Sequence, residues 1–193
     1  MTLRNTRQGW GWPARLLHWA VAAVILFQLG VGLYMVEVIG DDLINRFQLT
    51  QTHKSWGFVV FALALLRIVW RWVNPTPALP AMPAWQRVAS QASHLALYGL
   101  MIALPVTGWL MASASPLNDP GAYPFQVKNM VFGLFELPDP YPEGSKALSE
   151  WLARVHFWLA MALTALLGVH VAAALKHQYV DRDGLLRRMI AGR

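Results

Sequence analysis

The sequence predicts an all-α integral membrane protein, a bundle of four transmembrane helices. Three observations predict it. The chain is 56% hydrophobic and only 13% of its 193 residues are charged, where a soluble domain has about a quarter charged. Its charges fall between long apolar runs rather than across a polar surface. Those runs number four, and each has 20 or more residues, enough to cross a hydrocarbon core of about 30 Å at 1.5 Å per residue.

The first span is read over 16–35, from Leu16 to Met35. Its length and the lack of a small-residue cleavage site predict a retained helix rather than a removed signal peptide. The second runs over 53–73 and contains Arg67 and Arg71 towards its end, where arginine can snorkel to the headgroups. The third, 92–114, contains Pro105, which is expected to kink it. The fourth covers 155–175. No internal repeat is visible, so residues 1–193 read as a single transmembrane domain.

The connections differ in character. Asn74 to Pro83 is proline-rich and reads as a short extended linker. The segment 116–150 is longer and contains Tyr123, Phe125, Val131, Phe132, Leu134 and Phe135. It is more apolar than a free loop needs to be, and is expected to fold onto the outer surface as a lid or a short interfacial helix.

Four spans place both termini on one side, and lysine and arginine counts choose the side. The termini and the linker between spans two and three have 11, the opposite face 5. The positive-inside rule therefore predicts cytoplasmic termini and a plasma-membrane protein in contact with lipid. This distribution explains the net charge of +6, so nucleic acid is not an expected partner. Tryptophans at the run ends (Trp10, Trp12, Trp19, Trp56, Trp70, Trp72, Trp109 and Trp151) match the interfacial preference of that ring.

The chain has no cysteine. Disulfides, thiolate zinc sites, iron–sulfur clusters and the C-x-x-C-H attachment of haem are thereby excluded. Six histidines are left as ligands for any redox group. On the predicted topology His18 and His94 lie at the inner ends of spans one and three, and His53 and His156 at the outer ends of spans two and four. His170 follows His156 by 14 residues, a rise of about 21 Å that returns to within about 40° of the same helix face.

Such a layout suits two stacked haems, because each iron needs two axial ligands at one depth on facing helices. His53 and His156 match on the outer side. For His170, both His18 and His94 qualify by depth. Zinc or copper would want three or four ligands converging at one place, which two separated pairs do not offer. Arg67 lies 14 residues after His53, near the depth of the inner pair, and no span contains Asp or Glu to offset its burial. It reads either as a propionate partner or as a snorkelling arginine. His177 shares a face with His170 but lies beyond the core, and reads as a surface residue or a quinone-pocket donor.

Several motifs resemble those of the bacterial cytochrome b-561 family, a group of membrane di-haem cytochromes b. They are Leu17-His18-Trp19, Asn74-Pro75-Thr76-Pro77, Leu104-Pro105-Val106-Thr107-Gly108, Phe132-Gly133-Leu134, and the stretch from His156 through Gly168-Val169-His170 to His177. The resemblance implies two haem b groups, with His53–His156 binding the outer iron and His18–His170 the inner one. It also implies a quinone such as ubiquinone as electron partner, and a place in the bacterial inner membrane and its respiratory chain. Some members of the family are superoxide oxidases, with a Ser-Trp pair before the outer histidine; here those positions are Arg154 and Val155.

Three functions follow as expectations. The first is a stand-alone electron-transfer cytochrome exchanging with the quinone pool. The second is a superoxide:ubiquinone oxidoreductase, whose anion funnel would need Lys54, Lys128, Lys146 and Arg154 to outweigh Asp119, Glu136, Asp139, Glu143 and Glu150. The third is the membrane anchor of a dehydrogenase or hydrogenase, docking a redox partner protein at the outer face. A transporter is disfavoured by the lack of acidic residues in the spans.

Overall fold

A computed structural model describes residues 2–38, 40, 43–118 and 128–192; Asp119, Tyr123 and Phe125, named above, lie outside them. Four helices dominate: α1 (Trp12–Glu37), α2 (Leu43–Val73), α3 (Ala84–Ser113) and α4 (Lys146–Lys176). All four are long and apolar enough to cross a membrane. Their outward faces agree with that role: Leu26, Leu33, Leu66, Trp158 and Val169 are each more than half exposed. In water such surface would drive aggregation, whereas in lipid it is ordinary helix exterior.

The helices run further than the apolar spans. His53, His94 and His156 each lie ten residues inside α2, α3 and α4, counted from Leu43, Ala84 and Lys146. An apolar run stops at the first polar cluster, but a helix stops where the backbone demands it. The added segments 43–52, 84–91 and 146–154 contain neither proline nor glycine. The breaks fall instead at Asn74-Pro75, Pro83, Pro116 and Gly144. Ser145 caps α4, its hydroxyl accepting the Leu148 N–H at 3.4 Å.

Each of α1–α4 contributes one segment to each of two compact units. The terminal unit comprises Met1–Ala23, Ala62–Leu100 and Leu163–Arg193; the hairpin unit comprises Val24–Phe61 and Met101–Ala162.

In the terminal unit, the chain before α1 is a hook rather than a free basic tail. Buried Asn5 donates to the Pro75 carbonyl at 2.9 Å and accepts the Gly11 N–H at 2.9 Å. The Trp12 N–H reaches back to the Thr2 carbonyl, and the Ala78 N–H to that of Arg7. A Cβ at Gly11 would lie 2.3 Å from the Leu3 carbonyl oxygen, so only glycine closes this hook. After α4 the chain forms one π-helical turn over His177–Asp181, passes Arg182 and Gly184 at positive φ (55° and 75°), and enters α5 (Leu185–Ala191).

In the hairpin unit, the long connection folds back as expected, and its described part is a two-stranded hairpin rather than an interfacial helix. Strands β1 (Met130–Val131) and β2 (Phe135–Glu136) pair antiparallel. Phe132 and Gly133, both at positive φ, make the turn. The hairpin is fastened to α2: the Phe132 N–H donates to buried Ser55 Oγ at 2.9 Å, and its ring packs edge-on against Trp56 at 5.6 Å. Lys54 Nζ donates to the Lys128 carbonyl at 3.1 Å.

Candidate functional site

Five of the six histidines fall into two clusters, one in each unit. In the hairpin unit, His53 of α2 faces His156 of α4 with ring centroids 6.3 Å apart and planes at 79°. In the terminal unit, His18 of α1 faces His170 of α4 at the same 6.3 Å, with planes at 57°. Two imidazoles on opposite sides of one metal ion, each through a bond of about 2 Å, hold their ring centres roughly 6.3 Å apart. Both pairs have that spacing. His94 of α3 packs against His170 at 5.6 Å and 74°, an edge-on ring contact shorter than two such opposed imidazoles would keep.

The hairpin cluster is tightly framed. His156 Nδ1 lies 3.1 Å from Thr107 Oγ1, whose hydroxyl is directed at the carbonyls of Ala103 and Leu104 at 2.8 and 3.0 Å. The hydroxyl proton thus goes to the helix backbone and leaves an oxygen lone pair for an Nδ1–H. With its proton on Nδ1, His156 would have Nε2 left as the ligand atom, the usual arrangement behind a coordinating histidine. Gly108 presents its bare Cα to the same ring; a Cβ there would come within 3.2 Å of His156 Cε1. On the facing side Gly32 lies against His53, where a Cβ would meet Cε1 at 3.6 Å. Gln28 anchors that turn by donating to the His53 carbonyl at 2.8 Å.

The terminal cluster is framed differently. His18 Nδ1, like His53 Nδ1 in the hairpin cluster, is buried with no hydrogen-bond partner. Its ring packs edge-on with Trp19 at 5.1 Å and 75°. Arg67 stands within electrostatic reach of His18, His94 and His170. Its guanidinium lies 5.4 Å from the Tyr98 ring centre, and it has no carboxylate partner among the described residues. The guanidinium also hydrogen-bonds the Tyr98 side chain, and a buried cation without a carboxylate partner suits an anionic group of a cofactor.

The residues present therefore fit haem b: two pairs of facing imidazoles, bare glycine faces against two of the rings and an arginine with no carboxylate partner among the described residues, with no thiolate. His177 is placed elsewhere. Its Nδ1 lies 2.6 Å from Asp183 Oδ2 and 3.2 Å from Asp181 Oδ2, while Lys176 pairs with Asp181 at 2.6 Å. This set of side chains ties the π-helical turn to the start of α5, where Asp183 Oδ1 accepts the Leu185 N–H.

Thr107 and Gly108 are site residues that sequence reasoning did not assign. Both belong to a motif already singled out there, Leu104 to Gly108, which faces His156 because Thr107 bonds its ring. Two shallow cavities flank the hairpin cluster. One, about 440 Å³, is a groove along α4 lined by Trp151, Arg154, Val155, Trp158 and Leu159. The other, about 340 Å³, lies between α2 and the hairpin and is lined by Gln51, Thr52, Ser55, Met130, Phe132 and Gly133.

Comparison with known proteins identifies the family. The model of the prokaryotic cytochrome b561 family matches residues 9–192. Cytochrome b561 homolog 2 of Escherichia coli K12 is 31% identical over 193 residues, covering 98% of this chain and 95% of that protein. Cytochrome b562 of Cereibacter sphaeroides is 28% identical across 92% of each chain. A protein of Yersinia pestis described as probable superoxide oxidase CybB is 30% identical across 72% of each. The chain belongs to the prokaryotic cytochrome b561 family of membrane cytochromes, which transfer electrons on b-type haem.

Proposed function

We propose that this cytochrome binds two haem b groups, one in each unit, and passes electrons between the two faces of the membrane in exchange with quinone. The observation that supports two sites is the pair of 6.3 Å imidazole spacings, His53–His156 and His18–His170. Haem b held there supplies one-electron chemistry between ferric and ferrous iron. On this reading His53 and His156 would hold one haem and His18 and His170 the other, with His94 packed beside His170.

The remaining residues tune and protect. Thr107 accepts the Nδ1–H of His156 and makes that imidazole the stronger donor. Arg67 supplies positive charge to the terminal site, both for a propionate and for the reduced state. The apolar helix exteriors put the ligands in a water-poor setting, with the terminal unit, its hook and its arginines on the cytoplasmic side.

Quinone exchange is assigned to the α4 groove. Its walls combine two indole rings with the Arg154 guanidinium, which suits a flat aromatic dicarbonyl that dissolves in lipid. A superoxide oxidase reading is weaker on electrostatic grounds. Lys128 is paired with Glu136 at 2.9 Å and Lys146 with Glu150 at 4.0 Å, so two of the four cations expected to attract an anion are locally offset.

Haem quantitation with a reduced-minus-oxidised spectrum tests the reading. Two haems per chain, fully extracted by acid–acetone, are expected. A stoichiometry near one, or haem that stays attached to the polypeptide, would sink it. Reduction of both haems by a soluble quinol, weakened in Arg154→Leu, tests the quinone assignment.

A further inference from the structure

We propose that α5 is a strap that sets the ring plane of His18, acting through Trp19. This rests on the reading of His18 as an axial ligand, and concerns what holds it.

A coordinating histidine is ordinarily oriented by a hydrogen bond from its second ring nitrogen. His156 has such a partner in Thr107. His18 does not: its Nδ1 is buried and unbonded. Rotation of the His18 ring is instead limited by its neighbours, and Trp19 lies against it edge-on at 5.1 Å. Trp19 is itself 45% exposed, so close packing does not hold it. What does is a hydrogen bond, its indole N–H donating to the Met189 carbonyl at 3.2 Å.

Met189 lies in α5, and α5 is held at both ends. Arg15 Nη1 donates to the Ile190 carbonyl at 2.7 Å, and Arg188 Nη1 to the Ala78 carbonyl at 2.8 Å. At the start, Asp183 accepts the Leu185 N–H while its other oxygen engages His177. At the end, Gly192 sits at φ +82° against Trp10 and Arg15, where a Cβ would lie 3.1 Å from the Trp10 carbonyl oxygen. A seven-residue helix has little stability of its own in water; here side chains of α1 and the π-helical turn lock it in place. The chain of contacts runs from His177 and Asp183 through α5 and Trp19 to His18.

Trp19 and α5 are therefore positioning elements for one site only. The test uses the haem-loaded protein and reads each ferric haem by low-temperature EPR, whose largest g value follows the angle between axial imidazole planes. Midpoint potentials are read in parallel, and His170→Ala identifies which signal belongs to the terminal site. Trp19→Phe keeps the ring and removes the N–H; a chain ending after Asp183 removes the acceptor. Both are expected to shift the largest g value and the midpoint of the terminal haem and leave the other haem unmoved. The double variant should shift no further than the larger single one, as expected of two changes to one interaction.

Unchanged terminal signals in both variants overturn the strap, as does an equal shift at both haems. If the shortened chain does not accumulate in the membrane, Trp19→Phe decides alone. A wild-type protein with no second haem signal would instead refute the two-site reading beneath it.

Discussion

Adding one methyl group at Gly108 should loosen one haem and spare the other. In Gly108→Ala the new Cβ would stand 3.2 Å from His156 Cε1 and 3.5 Å from Nδ1, where carbon atoms prefer about 3.5–4.0 Å. The ring must retreat by a few tenths of an ångström. It is not free to do so, because Thr107, on the adjacent position of α3, holds Nδ1 at 3.1 Å. Overpacking of this kind costs about 1–3 kcal/mol. If the strain is felt mainly with the ring locked to iron, haem affinity at that site falls about five- to hundredfold, at tenfold per 1.4 kcal/mol. Transfer of haem to an excess of a scavenging apoprotein measures it. One haem should leave quickly and the other at the wild-type rate. Gly32→Ala is the graded comparison, since its Cβ would meet His53 at an ordinary 3.6 Å. Full retention of both haems in Gly108→Ala, or equal loss of both, would refute the placement of His156 as a ligand.

Further substitutions separate the roles proposed for the other residues. His170→Ala should lose the terminal haem and His53→Ala the other, each read as one haem remaining per chain; a wild-type complement of two in either variant contradicts the pairing. His94→Ala should keep both haems, and a loss there with retention in His18→Ala would exchange the two residues' roles. Arg67→Leu should lower the terminal midpoint by about 40–90 mV, equivalent to about 1–2 kcal/mol for a charge roughly 10 Å away in a medium of effective dielectric near 20. An unmoved terminal midpoint in a fully loaded variant would remove Arg67 from the tuning of that haem.

The spans were legible because membrane helices advertise themselves through composition, and the 14-residue spacing of His156 and His170 follows from helix geometry alone. Helix ends were less legible. The apolar signal fades at Gln51, Gln91 and Arg154, whereas the backbone carries on to the next glycine or proline. Depth along a helix could not separate His18 from His94, since both sit near His170; the structure adds ring separations of 6.3 and 5.6 Å, on which the proposed pairing of His18 with His170 rests. The hook and the strap were invisible for another reason. Asn5 and Pro75 are 70 residues apart and Trp19 and Met189 are 170 apart, and no local pattern records that a basic tail will meet a proline-rich linker.

The features hidden from the sequence are those that make the two sites unequal. The proposed ligand pairs match in spacing at 6.3 Å but differ in plane angle, 57° and 79°, and their surroundings differ as well. At the hairpin site, Thr107 accepts from His156 and increases the electron donation of the imidazole, which favours ferric iron and lowers the potential. At the terminal site, Arg67 places a cation with no carboxylate partner among the described residues near His18, His94 and His170, which would favour the reduced, more negative state. Both effects have the same sign: they make the terminal site the better electron acceptor. On the proposed reading, one hydroxyl and one guanidinium would therefore add to the difference in ring planes in making the two sites unequal.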